Sequence, residues 1–204
     1  MLRMTIAAAA MAAVSFGVAH AQSCCEPPSW DWIENAETSS TGVTPPAAAM
    51  LGDFEVTFEM TTLAEVAAFA GGDVSHAGDA AASQYWLCYT LPDSRVWVIS
   101  NGEMGGTDHA VTGVAVASDP SGAEFDGCPA AEFGSLTVSG VGLGSDAAAL
   151  EAAFGQVAAQ TDRGSVYFSM IPAENPDFSV MFAAGAQFEN DGVLTLQVSH
   201  ITAN

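Results

Sequence analysis

An α+β fold made of two tandem β-α-β-β-β repeats is what this 204-residue sequence predicts. Three observations carry that expectation. A short, capped, alanine-rich helical segment ending at glycine occurs twice. Each copy is preceded by one segment of alternating apolar residues and followed by three. The two sets keep a single offset, about 84 residues, along the chain. The sheets of such a fold are antiparallel, each covered on one side by its helix.

In the first half, residues 54–58 alternate apolar and polar as a half-buried strand does. Thr62 then reads as an N-cap, with Glu65 three residues on completing a capping box. Leu63, Val66, Ala67 and Ala70 recur at helical spacing, and Gly71-Gly72 stops the helix. A Gly/Ser/Ala loop leads to strands over 84–91, 95–100 and 110–118.

In the second half, 136–141 is the strand and Ser145 the cap. Ala147, Leu150, Ala153 and Phe154 form the apolar face, and Gly155 is the stop. Val66 falls on Leu150, Gly71 on Gly155, and 110–116 on 194–200. Asn190-Asp191-Gly192 lies between alternating segments, and its Asp-Gly step suits a type I′ hairpin turn. Beyond it Leu194, Leu196, Val198 and His200 alternate with Val193, Thr195, Gln197 and Ser199, so that one face is expected dry and the other wet. Helices this short do not persist alone and need the sheet.

The segments Val141-Gly142-Leu143-Gly144-Ser145, Phe154-Gly155 and Phe188-Glu189-Asn190-Asp191-Gly192-Val193 resemble those of the outer-membrane small-lipoprotein (SmpA/OmlA) family. In tandem, the arrangement is similar to the β-lactamase inhibitory protein family. The resemblance implies a periplasmic binding or scaffolding module without catalytic machinery. Two departures stand out: no good lipobox precedes Cys24, and the second half has no cysteine where the inhibitor type carries a disulfide in each half.

The flanks divide the chain into a signal peptide (1–21), a flexible arm (22–50), and the two repeats (51–130 and 131–204). Arg3 supplies a positive n-region, Ile6 to Val18 a short apolar run, and Ala19-His20-Ala21 a small-x-small cleavage box. The apolar run is too short to span roughly 30 Å of hydrocarbon, and no later run is long enough either. The reading is therefore an exported protein, periplasmic or secreted, with no transmembrane segment after cleavage.

The chain has 24 acidic and 3 basic residues, a formal net charge of −21. Removing Arg3 leaves Arg95 and Arg163 and no lysine, which excludes lysine Schiff-base chemistry. Such a charge argues against nucleic acid and anionic membranes as partners, and suits a salty milieu in which repulsion is screened. Four cysteines in an oxidising compartment suggest disulfides. Cys88–Cys128 is the expected pair, because both sit beside predicted strands; Cys24 and Cys25 could pair with each other, pair between chains, or bind a metal.

No phosphate-binding glycine loop with lysine, His-Glu-x-x-His motif or Gly-x-Ser-x-Gly elbow is present. His200 ends an alternating strand and reads as a satisfied, partly buried histidine. His76 lies in a loop with Asp73 and Asp79 that lacks regular metal-ligand spacing. Asp119, Glu124 and Asp126 likewise lack the spacing of a calcium loop. The first-choice partner surface is the 100–109 loop: Met104 offers an adaptable apolar contact, and Glu103, Asp108 and His109 offer polar ones. Trp86 and Trp97, with Tyr85 and Tyr89 nearby, would add an aromatic sheet face, whereas Trp30 and Trp32 would dock onto the domain or onto a partner.

Together these features predict a non-catalytic binding protein, of inhibitor or envelope-adaptor type, acting on another envelope or extracellular protein. It would carry no cofactor and no metal. The alternative is a small-ligand- or metal-binding protein, or an enzyme, using the 100–109 loop.

Overall fold

The computed structural model describes residues 25–79, 82–102, 105–106, 108–123 and 127–203. The fold is α+β with antiparallel sheets. Its main element is one eight-stranded sheet of strands β3 (Ser75–Ala77), β4 (Gln84–Leu91), β5 (Ser94–Asn101), β6 (Gly113–Ser118), β8 (Ala159–Gln160), β9 (Ser165–Pro172), β10 (Ser179–Glu189) and β11 (Gly192–Ala203). Their spatial order is β3-β4-β5-β6-β11-β10-β9-β8. Two separate sheets, one per half, were expected. Instead β6 pairs with β11, from Thr195 opposite Ala117 to Ser199 opposite Gly113, so the halves share one sheet. The pairing satisfies the backbone groups that two separate edges would leave open.

The leading strand of each half stands outside this sheet. β2 (Phe54–Thr57) and β7 (Leu136–Val138) flank β1 (Ala48–Leu51) in a three-stranded sheet of order β2-β1-β7. Its central strand, β1, comes from the segment read as a flexible arm. Ala49 and Leu51 of β1 are fully buried, which is why this stretch holds its place.

Helices α2 (Leu63–Ala70) and α3 (Ala147–Phe154) pack with the small sheet against the inner face of the large one. Leu63, Val66, Leu150 and Phe154 meet Leu87, Val98, Val114, Val198 and Phe182 in one core. Thr62 caps α2 with the expected reciprocal box: its hydroxyl accepts from Glu65 N at 3.2 Å, and Glu65 accepts from Thr62 N at 2.8 Å. Those bonds to the Thr62 backbone and side chain hold the Glu65 carboxyl below the usual carboxylate range. In α3 the cap is Asp146, which accepts from Ala149 N at 2.8 Å, and not Ser145. Ser145 is occupied one step earlier, accepting from Gly142 N. Both helices stop at a glycine with positive φ, Gly71 at 77° and Gly155 at 87°.

The β10–β11 hairpin turns on Asn190 and Asp191, both left-handed at φ 49° and 67°, and Gly192 opens β11. The turn is one residue earlier than the Asp-Gly step suggests, and Asn and Asp tolerate that region. A register shift between Gln187 and Phe188 accompanies it, so that Val193 turns inward with Leu196, Val198 and His200. His200 is a satisfied core histidine, as read: its Nδ1 donates to Pro46 O at 2.8 Å and its ring stacks on Phe58. Among the described residues no helix is long and apolar enough to cross a membrane.

The shared sheet makes β11 central. Leu196→Ala should lower the unfolding free energy by about 2–5 kcal/mol, the usual cost of emptying a collapsed-resistant core site. Urea denaturation followed by tryptophan emission reads this; a loss below about 1 kcal/mol would mean that the seam between β6 and β11 is loosely packed.

Candidate functional site

The outer face of the large sheet, opposite the helices, carries side chains that alternate with the core. Trp86 and Cys88 of β4, Trp97 and Ile99 of β5, and Ala115 of β6 lie there in a buried cluster with Cys25 and Cys128. Trp86 and Trp97 are therefore only 4% and 5% exposed and do not form a free aromatic surface. What covers them is the arm: Trp97 Nε1 donates to Cys25 O at 3.1 Å. Cys88 and Cys128 form the expected disulfide, tying β4 to the 127–130 segment. The Cys25 sulfur lies within 4.8 Å of both of theirs, and this is the one grouping of three metal-capable side chains among the described residues. Cys24 lies outside the described residues.

Further along the arm, helix α1 (Asp31–Glu34) sits over the second half of the sheet. Trp32 and Ile33 are buried against Val166, and Trp30 and Ala183 pack beside them. Gln197 pins the helix from below, accepting from Trp32 Nε1 at 3.0 Å and donating to Pro28 O at 3.0 Å. The face of β11 expected to be wet is thus a buried polar clasp. Close approach is possible because residue 185 is glycine: a Cβ there would come within 2.6 Å of Trp32 and 2.5 Å of Ile33. Arg163 completes the setting, its guanidinium 5.6 Å from the Trp32 ring centroid. Trp30 and Trp32 dock onto the domain itself.

The arm does not cover the whole face. Between α1 and the sheet an open cleft of about 320 Å³ remains. Its walls are apolar where Ile33, Ile99, Val166, Phe168, Met181 and Ile201 contribute. Neutral polar groups, Gln84, Asn101, Thr112 and Ser199, line another part, and Glu34 supplies the charged group of the lining. Thr112 is almost fully buried, and its hydroxyl accepts from Asn101 N at 2.8 Å. Cavities of this size and lining are the usual form of small-molecule sites.

The loop surface expected from the sequence lies elsewhere. Glu103 and Met104 are outside the described residues. Asp108 is exposed, and His109 adopts φ 53°. The His109 ring stacks on Tyr85 with centroids 3.9 Å apart, and His76 stacks on the same ring at 4.3 Å. His76 Nε2 also lies 2.9 Å from Ser83 Oγ. His76, read as a loop residue, lies in β3 opposite Tyr85, so one tyrosine brings β3 and the His109 loop together, and His109 O accepts from Leu63 N at the start of α2. Asp119 pairs with Arg95, and the Ser121 hydroxyl, above all, keeps its carboxyl below the usual range.

The cleft residues were not singled out from sequence. Their signal was present: Val166, Tyr167 and Phe168, then Val180, Met181 and Phe182, are apolar on both faces of their strands. Such runs mean that both faces are covered, and Trp30, Trp32 and Ile33 were the available cover.

No family model matches this chain, and no curated protein matches it. Among solved structures it is similar to a DUF4309 family protein (YjgB) from Bacillus subtilis, with 12% identity and a TM-score of 0.34. That match covers 78% of this chain and 87% of the other.

Gly185→Val should push α1 off the sheet while leaving the inner core intact. Cleavage by a glutamate-specific protease after the exposed Glu34 and Glu37 is expected to accelerate severalfold, with circular dichroism unchanged. An unaltered cleavage rate would show that the arm is held without this close approach.

Proposed function

We propose that the chain is an exported, non-catalytic binding protein and that the cleft beside α1 is its ligand site. The observation that carries the reading is the cleft itself: an apolar cavity of about 320 Å³ on the sheet face, bordered by neutral polar groups. A site of this kind holds the apolar part of a small amphipathic molecule and orients it by a few hydrogen bonds. The N-terminal leader pattern and the Cys88–Cys128 disulfide support export to the periplasm or beyond.

Tandem repetition is part of the proposal. α2 and α3 have the same length, begin after a side-chain cap and end at a positive-φ glycine, at the offset read from the sequence. The small-lipoprotein and inhibitor-like architecture belongs with it, as a resemblance in the order of elements.

A second reading keeps protein–protein contact, of inhibitor or envelope-adaptor type, as the function. The observation favouring it lies on the opposite side of the molecule. Phe69 of α2 is 45% exposed and stacks on Phe54 at 4.5 Å, with Phe133 beyond at 6.5 Å. Exposed aromatic groups of this kind serve as anchors for partners.

A neutral, environment-sensitive dye such as Nile red tests the first reading. Saturable one-to-one binding is expected, and Ala183→Phe, which fills the cleft, should weaken it by about tenfold or more. Equal binding by the filled variant, or no saturable binding, would remove the cleft as the site. Retention of one stoichiometric envelope protein by wild type but not by Phe69→Ser would instead favour the second reading.

A further inference from the structure

The lining of the cleft also bears on which end of an amphipathic molecule it accepts, an inference that rests on the cleft being the ligand site. Its apolar part, Ile99, Val166, Phe168, Met181 and Ile201, gives no preference among head groups. Discrimination falls to the remaining groups. Glu34 is the ionisable residue of the lining, and it stands at the exposed end of α1. Among the described residues no arginine or histidine contributes to the cleft. The two arginines that follow the leader are engaged elsewhere, Arg95 with Asp119 and Arg163 over Trp32. Gln84, Asn101, Thr112 and Ser199 are neutral and both donate and accept, so they serve either head group, and the choice falls to Glu34.

We infer that the cleft selects ligands with an apolar body and a cationic head, an amine-bearing amphiphile and not a carboxylate. A fatty-acid-like anion would enter without a countercharge. It would meet the Glu34 carboxylate at the mouth and the field of a chain whose formal net charge is −21. An alkylammonium would meet the same neutral groups and a carboxylate of opposite charge. Because Glu34 is exposed, the local pair is screened by salt and its contribution is modest. The discrimination is therefore a low-salt effect of limited size, added to an apolar affinity common to both head groups.

Competition against Nile red with 1-aminooctane, 1-octanol and octanoate tests this at low and at high salt. The amine should compete about tenfold better than octanoate at low salt, with the alcohol between them and the spread shrinking as salt rises. Glu34→Gln should narrow the amine preference severalfold and leave octanol unchanged. Glu55→Gln, which removes the same charge from β2 on the other side of the molecule, should leave the preference near its wild-type value. Octanoate competing as well as the amine would overturn the inference while leaving the cleft as a site. An equal loss in both glutamine variants would also overturn it, since net charge and not the mouth would then select. If none of the three competes and Nile red itself does not saturate, the cleft reading fails first.

Discussion

A sheet with apolar side chains on both faces must be covered twice, and that constraint shapes this molecule. The inner face is covered by α2, α3 and the small sheet, which close one continuous core. The outer face is covered by the arm, through Cys25, Trp30, Trp32 and Ile33. Fully burying a large apolar side chain contributes about 1.5–3 kcal/mol, whereas fixing each backbone residue costs about 1–2 kcal/mol. Three buried side chains, Cys25, Trp32 and Ile33, therefore cannot hold an arm of this length unaided. The chain adds fixed points: Trp97 to the Cys25 carbonyl, Gln197 to Trp32 and Pro28, Ser40 and Thr41 to β9, and β1 at the heart of the small sheet.

Much of this was legible in the sequence, and what was missed has a common cause. Helices 63–70 and 147–154 were fixed by local signals, a cap and a stop, which depend on near neighbours. Strands over 84–91 and 95–100 were read close to where β4 and β5 lie, and the Cys88–Cys128 pair followed from its position beside strands. The β6–β11 pairing was not legible, because alternation says that a strand has a buried face but not which edge it joins. For the same reason the proline-containing segment before residue 50 reads as an arm, and only the three-dimensional fold reveals β1 and α1 docked on distant strands. Trp86 and Trp97 were ambiguous for the same reason. Their faces became interior only once Cys25 and Trp30 lay against them.

The candidate site is of this non-local kind. Its residues come from the arm in and around α1, from six strands and from Thr112 just before β6, with no motif joining them. The cleft marks where the cover is incomplete: Trp32 and Ile33 lie over one part of the outer face, the Cys25 segment lies over Trp86 and Trp97, and a region beside α1 stays open. The 100–109 loop, by contrast, was conspicuous for its composition, yet its described histidine serves packing, stacked on Tyr85 and tied to the first turn of α2. Composition drew attention to a loop, whereas burial on both faces of a sheet identified the cavity.

The seam between β6 and β11 has a consequence for how the molecule comes into being. β11 follows every other strand in sequence yet lies in the middle of the sheet, between β6 and β10. A chain growing from its N-terminus can assemble β3 to β6 early, but β6 then presents an open edge bearing Val114 and Val116 until residues 192–203 exist. Contacts between positions this far apart form slowly, and an uncovered apolar edge in the meantime invites pairing with another copy. The keystone arrives last, so a nascent or C-terminally shortened chain lacks the centre of its sheet and not merely a fringe.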